Sequence, residues 1–165
     1  MKKNKYKKIF GIGPLGALIS LVLILPLWWL DKKLGHPEIS QNPALLRIFG
    51  CLLIITGAGI HLWAGWTLRN WWKDSQLCTI GPFKYFRHPM YAAWITFIVA
   101  GISLSFNSWI FLFWPIAIHP IWHRLVIKEE TMMSEIFSDE YRKYKNRTGQ
   151  FFPLSSEKIQ HYSDN

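Results

Sequence analysis

Four blocks of apolar residues, separated by short polar segments, set the pattern of this chain. They run over Ile9–Leu30, Ala44–Trp66, Met90–Phe106 and Trp109–Ile127. Because about 20 apolar residues, at a helical rise of about 1.5 Å each, cross the hydrocarbon core of a bilayer, each block predicts a membrane-spanning helix. The third block lies at the short limit for such a span.

The connection between the third and fourth blocks consists of Asn107 and Ser108 alone, which predicts a tight helical hairpin. Pro115 and Pro120 lie inside the fourth block. They predict a bend or an interruption of its helix, because proline lacks the backbone N–H and clashes with the preceding turn. No internal repeat is evident, and the pattern indicates a single domain over residues 1–153.

The segment Glu129–Lys145 is amphipathic and predicts a further helix on the cytoplasmic side. Its apolar residues fall on one arc at about 100° per residue; they are Met132, Met133, Ile136, Phe137, Tyr141 and Tyr144. Glu129 falls inside this arc, so its carboxylate is expected to face the protein or the membrane boundary. Residues 154–165 predict a flexible tail. The expected fold class is all-α: an integral membrane bundle of about four transmembrane helices, with a helical hairpin and a C-terminal amphipathic cytoplasmic helix.

The distribution of charge predicts the orientation and the partners. The chain of 165 residues is 50% hydrophobic and carries a formal net charge of +9. Lys and Arg concentrate near both termini and between the second and third blocks, whereas Asp31 and Glu38 balance Lys32 and Lys33 in the first loop. The positive-inside rule then places both termini in the cytoplasm, and we expect a bacterial inner-membrane protein. Attraction to the lipid bilayer explains the charge, and no zinc-finger or RNA-binding motif indicates a nucleic-acid partner.

Arg87, His88 and Pro89 stand where the third apolar block begins. Proline at the first helical position leaves the following N–H groups free, and the helix end adds partial positive charge. This group therefore suits a carboxylate or a phosphate. A basic membrane flank followed by a helix-starting proline is the plainer interpretation of the same residues.

Two acidic residues, Glu129 and Glu130, follow the fourth block directly. They suit the ribose hydroxyls or the amino group of a cofactor. The alternative is acidic charge that complements the dipole at the start of a helix.

Other ionisable residues lie deeper in the fourth block. Arg124 is a candidate partner for an anionic substrate head, because an ionisable group at membrane depth is often functional, while snorkelling to the interface is the alternative. His119, His123 and Glu130 share one helical face if the helix is continuous. Pro120 breaks that condition, so hydrogen-bonded histidines are favoured over a metal site, and no metal ion is expected.

Three pieces of the sequence, in order, resemble one known family. LCTIGPFKYFRHPMY (Leu77–Tyr91) resembles the signature LVTSGPYRYVRHPxYxG. Glu129-Glu130 with IFSDEYRKYKNRTGQFFP (Ile136–Pro153) resembles EExxLxxxFGxEYxxYxxRTxRFIP, and WAGWTLRNWW (Trp63–Trp72) resembles the segment before the first signature. These patterns belong to the isoprenylcysteine carboxyl methyltransferase family and its phospholipid methyltransferase relatives.

The resemblance implies an integral membrane enzyme that uses S-adenosyl-L-methionine, with a cofactor-binding core over residues 63–153. By the same likeness the cofactor contacts are Leu77, Cys78, Phe83, His88, Pro89, Met90, Tyr91 and Glu129. Leu125 stands at the place of the family's substrate-side arginine, with Arg124 beside it. That difference weakens the case for a prenylcysteine carboxylate as the substrate.

The resulting hypothesis is methyl transfer to a hydrophobic or lipid-linked acceptor at the cytoplasmic face of the membrane. A carboxylate acceptor needs no base, whereas an amine or thiol must lose a proton, which Glu130 or His123 is placed to assist. Arg124, Glu130 and His123 are therefore the candidate catalytic residues. N-methylation of an ethanolamine phospholipid is an open alternative, as are an NADPH-dependent sterol-reductase-like enzyme and a non-catalytic membrane subunit.

Overall fold

The computed structural model describes residues 12–71 and 76–153, and within them the chain forms four main helices. No β-strand forms in this part of the chain beyond two isolated bridges. The all-α prediction is confirmed. The start of the first apolar block, Trp72 and the tail 154–165 lie outside the described residues. The helices are α1 (Gly13–Lys33), α2 (Ala44–Trp71), α3 (Pro89–Ser105) and α4 (Trp109–Arg147).

The outward faces of α1 and α2 are apolar and exposed, as a membrane environment requires. Only 11% of the most apolar stretch of either helix is buried inside the protein. Side chains such as Leu25 and Leu62 are among the most exposed of the apolar residues. Of the described helices, α1, α2 and α4 are long and apolar enough to cross a membrane, and α3 is a shorter apolar helix. The four predicted spans therefore correspond to the four helices.

Small residues bring α2 and α3 into close contact. Gly50, Gly57 and Ala64 are buried at a spacing of seven residues along α2. A Cβ atom on Gly50 would lie 2.5 Å from the carbonyl oxygen of Gly101, and one on Gly57 would lie 2.8 Å from Ile98 Cγ1. Side chains at these points would force the helices apart, which is why small residues stand at such crossings in membrane bundles.

Two buried tryptophans of α4 pack against α1. Trp114 Nε1 donates a hydrogen bond of 2.8 Å to the carbonyl oxygen of Ser20, and Trp122 Nε1 donates one of 2.9 Å to Ser20 Oγ. Gly16 makes room for the indole of Trp122, since a Cβ atom there would lie 2.6 Å from the ring. The indole N–H groups are thus satisfied within an otherwise apolar core, as buried donors must be.

The hairpin between α3 and α4 turns at Asn107 and Ser108, as predicted. Asn107 has a positive φ of 54°, and Ser108 Oγ accepts a hydrogen bond from the N–H of Ile110. Ser108 Oγ also donates to Asp31 Oδ1, and the amide of Asn107 bonds to the backbone of Ser40. These bonds fasten the hairpin turn to the first loop, at the end of the bundle opposite residues 76–88.

Neither Pro115 nor Pro120 interrupts the fourth span, so of the two predicted effects, a bend or an interruption, the interruption is wrong. Within the α-helical part, Phe113–Arg147, the only non-helical dihedral angles are those of Ser138, and Pro115 falls in its first turn. A proline inside a helix removes one backbone hydrogen bond, and the core packing of Ile118 and Trp122 on either side of Pro120 holds the helix through that loss.

The break lies at Ser138, and it reverses the direction of the chain. Its φ of 47° and ψ of −119° are not helical. In a straight helix the Cα atoms of Glu130 and Lys145 would stand about 22 Å apart, yet Lys145 Nζ lies 2.9 Å from Glu130 Oε2. The predicted amphipathic helix is therefore not a separate element: its first part continues α4, and its second part returns along it. We call residues 139–150 the return segment.

Candidate active site

The loop between α2 and α3 is held between the end of α2 and the return segment. Gly81 has a positive φ of 58°, and a Cβ atom there would lie 2.9 Å from Thr67 Oγ1, so glycine permits both the turn and the contact. Leu77 is buried against Tyr141 and Tyr144. Tyr144 Oη donates a hydrogen bond of 2.6 Å to the carbonyl oxygen of Phe83.

A short parallel pairing aligns the end of this loop with the end of the return segment. Phe86 pairs with Gly149 as an isolated bridge. The N–H of Arg87 donates to the carbonyl oxygen of Gly149 at 2.7 Å, and that of His88 donates to Gln150 at 3.3 Å. The pairing brings the side chains of Arg87 and His88 to the two glutamates of α4.

Glu130 is buried and accepts from three side chains. Its Oε1 accepts from Arg87 Nε at 2.8 Å and from Gln150 Nε2 at 3.1 Å, while Lys145 Nζ lies 2.9 Å from Oε2. Arg87 is committed as well, because its Nη1 donates to the carbonyl oxygens of Lys145, at 3.1 Å, and of Thr148. Through Nε and Nη1 the guanidinium is therefore engaged within the protein.

Glu129 is equally buried but has fewer partners. Its Oε1 accepts a hydrogen bond of 3.0 Å from Tyr91 Oη, and its Oε2 lies 3.7 Å from His88 Nδ1, beyond hydrogen-bond distance. The rings of Tyr91 and His88 stack in parallel with centroids 5.6 Å apart, and Tyr91 also packs on Trp122. Because a carboxylate offers about four lone-pair positions, Glu129 retains capacity for a ligand.

His88 lies between the two glutamates without a hydrogen bond to either. Its Nε2 is 3.4 Å from Glu130 Oε1, but this buried nitrogen has no hydrogen-bond partner in the described chain. Burial lowers the pKa of His88 below its ordinary value, although Glu130 opposes this effect. Burial also raises the pKa of the Cys78 thiol, which disfavours a reactive thiolate at neutral pH.

Comparison with known proteins places the chain in a family. Residues 45–140, more than half of the 165, match the phospholipid methyltransferase family. The chain belongs to the phospholipid methyltransferase family. No curated protein and no solved structure gives a significant match.

Membership of the phospholipid methyltransferase family confirms the resemblance found in the sequence. With its apolar helices, the chain is an integral membrane protein of a methyltransferase family, with lipid as the class of partner. The match includes the segment Arg87–Tyr91 and both glutamates, whereas Lys145 and Gln150 lie beyond its end.

The structure brings one group of the predicted cofactor residues together. His88, Tyr91 and Glu129 are in mutual contact, and Pro89, which is buried, begins α3 beside them. Met90 is half-buried at the same helix start. The remaining predicted contacts lie in the adjoining loop, which the tyrosines of the return segment connect to the site; they are Leu77, Cys78 and Phe83.

The three predicted catalytic residues separate in the structure. Glu130 lies at the centre of the ion-pair group. His123 is exposed, but its Nδ1 bonds to Gln150 Oε1 and is thereby linked to Glu130. Arg124 is exposed and makes no hydrogen bond or ion pair with any described residue. Its position is about 140° around the helix from Glu129, because five residues turn about 500°, so its proposed role depends on a substrate rather than on this cluster.

Lys145 and Gln150 are site residues that sequence reasoning missed. Both lie within the stretch that resembles the second signature, and Gln150 stands where that signature has arginine. The signal that could have indicated them is that two adjacent buried glutamates need positively charged or hydrogen-bonding partners. A helical projection of Glu129–Lys145 placed Lys145 outside the apolar arc and hid it, because the projection assumes a straight helix.

Proposed function

We propose that this protein transfers a methyl group from S-adenosyl-L-methionine to a hydrophobic or lipid-linked acceptor, as isoprenylcysteine carboxyl methyltransferases do. The observation that carries the proposal is the asymmetry of the two adjacent glutamates. Glu130 accepts from three protein side chains, whereas Glu129 accepts from one and has spare acceptor capacity beside an unpaired His88. In a methyltransferase family, such a pair suits a ligand that carries hydroxyl and ammonium donors.

The groups present fit S-adenosylmethionine. A buried polar atom without a partner costs free energy unless a ligand pairs with it, and His88 Nε2 is such an atom. The ribose hydroxyls and the amino group supply donors for Glu129. We propose that His88, Tyr91 and Glu129 hold the cofactor, with the other predicted contacts lining the pocket: Leu77, Cys78, Phe83, Pro89 and Met90.

The cofactor, when bound, supplies a methyl group that is already activated as a sulfonium. The chain therefore has to bind, orient and exclude water rather than form a covalent bond. Tyr91 is fixed between His88 and Trp122, which keeps the position of its hydroxyl against Glu129 constant. A rigid contact of this kind suits the alignment that methyl transfer requires.

Deprotonation of the acceptor is the remaining chemical task. Glu130 is a poor candidate base, because Arg87, Gln150 and Lys145 already use its oxygens. We propose that His123, exposed beside Gln150, assists when the acceptor is an amine or thiol. Arg124, exposed about one helical turn before Lys128, is proposed to pair with an anionic acceptor head.

The second candidate function is N-methylation of an ethanolamine phospholipid. The match to the phospholipid methyltransferase family favours it, and so does Leu125 at the place of the family's substrate-side arginine. Both candidates use the same pocket. The basic residues around the site, such as Arg142 and Lys143, lead us to place this end of the bundle, with both termini, in the cytoplasm.

Isothermal titration of the detergent-purified protein tests the cofactor. S-adenosylhomocysteine is expected to bind, and His88→Ala or Glu129→Ala to weaken binding about tenfold or more, in line with the loss of one charge-assisted contact. Glu135→Ala is the matched control, because Glu135 is an exposed acid on the same helix. Heat release with NADPH and none with S-adenosylhomocysteine would instead support a reductase. No heat release with either ligand would support a non-catalytic subunit.

Transfer of radiolabelled methyl from S-adenosylmethionine to a total lipid extract identifies the acceptor. A labelled carboxyl ester is base-labile, whereas a methylated ethanolamine headgroup is not. Label in neither fraction would reject a lipid acceptor.

A further inference from the structure

We propose that Lys145 and Gln150 are positioning residues, which fix Glu130 so that the imidazole of His88 is left for the cofactor. This inference rests on the function proposed above. It concerns side chains that reach the site only because the chain folds back at Ser138.

The carboxylates of Glu129 and Glu130 need partners of opposite charge. Two adjacent carboxylates, Glu129 and Glu130, are both buried, and carboxylates in such surroundings require paired cations or donors. Arg87 supplies one cation. Lys145 supplies a second, with its Nζ 2.9 Å from Glu130 Oε2, although the side chain itself is half-exposed.

Arg87, Gln150 and His88 all approach the same oxygen of Glu130. Arg87 Nε and Gln150 Nε2 both donate to Oε1, at 2.8 and 3.1 Å. His88 Nε2 lies 3.4 Å from the same oxygen without forming a hydrogen bond. The two stronger donors occupy this oxygen, so the imidazole stays unpaired and stacked on Tyr91.

Removal of these donors would leave the carboxylate of Glu130 less firmly held. Without Lys145 the carboxylate of Glu130 is held from one side only, and it is free to turn towards His88. A hydrogen bond between them would draw the imidazole away from Glu129 and consume the nitrogen that the ligand needs. We therefore expect a loss of cofactor affinity from residues that do not touch the cofactor.

The position of the cation offers a rescue test. The signature that this chain resembles has arginine at position 150, where this chain has glutamine. A guanidinium at position 150 would approach Glu130 from the place of the Gln150 amide. The double variant Lys145→Gln/Gln150→Arg thus moves the positive charge from one side of Glu130 to the other and preserves the number of charges.

The experiment is titration of S-adenosylhomocysteine into the full-length protein in detergent. Lys145→Gln is expected to weaken binding about tenfold, Lys145→Arg to stay within about threefold of the wild type, and the double variant to recover most of the loss. Lys143→Gln, which removes an exposed charge from the same part of the chain, is the control and should bind normally. If Lys145→Gln does not fold, Gln150→Leu replaces it, with about a threefold loss expected.

The outcomes separate this inference from the proposed function. Absence of binding by the wild type defeats the proposed function, and this inference with it. Binding by the wild type with equal binding by Lys145→Gln, or by Gln150→Leu in its place, overturns the positioning role alone. A folded double variant that does not recover affinity also overturns it, because a positioning role predicts rescue and simple loss of packing does not.

Discussion

Tyr91 Oη donates a hydrogen bond of 3.0 Å to Glu129 Oε1 and so joins the start of α3 to the inner part of α4. The two residues belong to two of the three sequence pieces that carry the family resemblance, and the fold brings these two pieces into direct contact. In the described structure Tyr91 is the one side chain within hydrogen-bond distance of Glu129.

Tyr91→Phe removes this donor and leaves the buried carboxylate of Glu129 without it. We expect a loss of about 1–3 kcal/mol in the free energy of unfolding, the usual cost of an unsatisfied buried group. Thermal unfolding in detergent measures the change. Tyr85→Phe, at an exposed tyrosine, should leave the midpoint unchanged, and equal effects of the two variants would contradict the prediction.

Ser138→Gly is expected to stabilise the protein by about 1 kcal/mol. In the wild type, Ser138 has a φ of 47° and a ψ of −119°, which is a region that glycine adopts without strain and other residues do not. The second signature has glycine at this position, which agrees with the geometry. Ser134→Gly is the matched control, because Ser134 is in regular helix, where glycine costs about 0.5–1 kcal/mol. Destabilisation by both variants would show that Ser138 is not strained.

Gly101→Ala is expected to destabilise the bundle by about 1–3 kcal/mol, the range for overpacking. A Cβ atom there would lie 2.5 Å from the carbonyl oxygen of Gly50, where backbone cannot yield cheaply. Gly59→Ala, also in a helix but with nothing within 4 Å of the new Cβ, should stabilise by about 1 kcal/mol through helix propensity. Shifts of opposite sign in the unfolding temperature would confirm the close crossing of α2 and α3 at Gly50 and Gly101. Stabilisation by both variants would argue against it.

The contribution of His88 to the stability of the protein is expected to fall as the pH drops below the ordinary histidine range. The pKa of His88 in the folded protein is below the value of 6.5 that applies to the unfolded chain. Between these two values the unfolded state binds more protons, so the free energy of unfolding decreases as the pH is lowered through this window. The groups that face the imidazole are Glu129, Glu130, Arg87, Lys145 and Tyr91.

The measurement is the unfolding midpoint at about pH 7.5 and about pH 5.5, for the wild type and for His88→Gln. The wild type should lose more stability than the variant. An identical loss in both would assign the pH dependence to other groups.

The helices and one part of the site could be predicted from the sequence, because they depend on local pattern. Blocks of apolar residues give α1 to α4, since membrane spans need length and hydrophobicity alone. The burial of Glu129 followed from its place on the apolar arc. The contact between Glu129 and His88 was implied by the family resemblance rather than by any pattern in the residues.

The return segment could not be predicted in the same way. Periodicity continues through Ser138, and serine is not a residue that ends helices as proline does. The contact between Lys145 and Glu130 exists only after the reversal, so no helical projection contains it. Likewise, the pattern does not distinguish the buried Trp122 from a lipid-facing tryptophan, because both surroundings are apolar.

The fold-back at Ser138 also has a consequence for biosynthesis. Glu130 receives Lys145 and Gln150 only after the chain beyond Ser138 has been synthesised, when the apolar parts of all four helices are already made. Before Lys145 has been synthesised, Arg87 is the cation that can pair with Glu130. Completion of the last stretch of chain, rather than synthesis of the apolar helices, is therefore the step that completes the ion-pair group around Glu130.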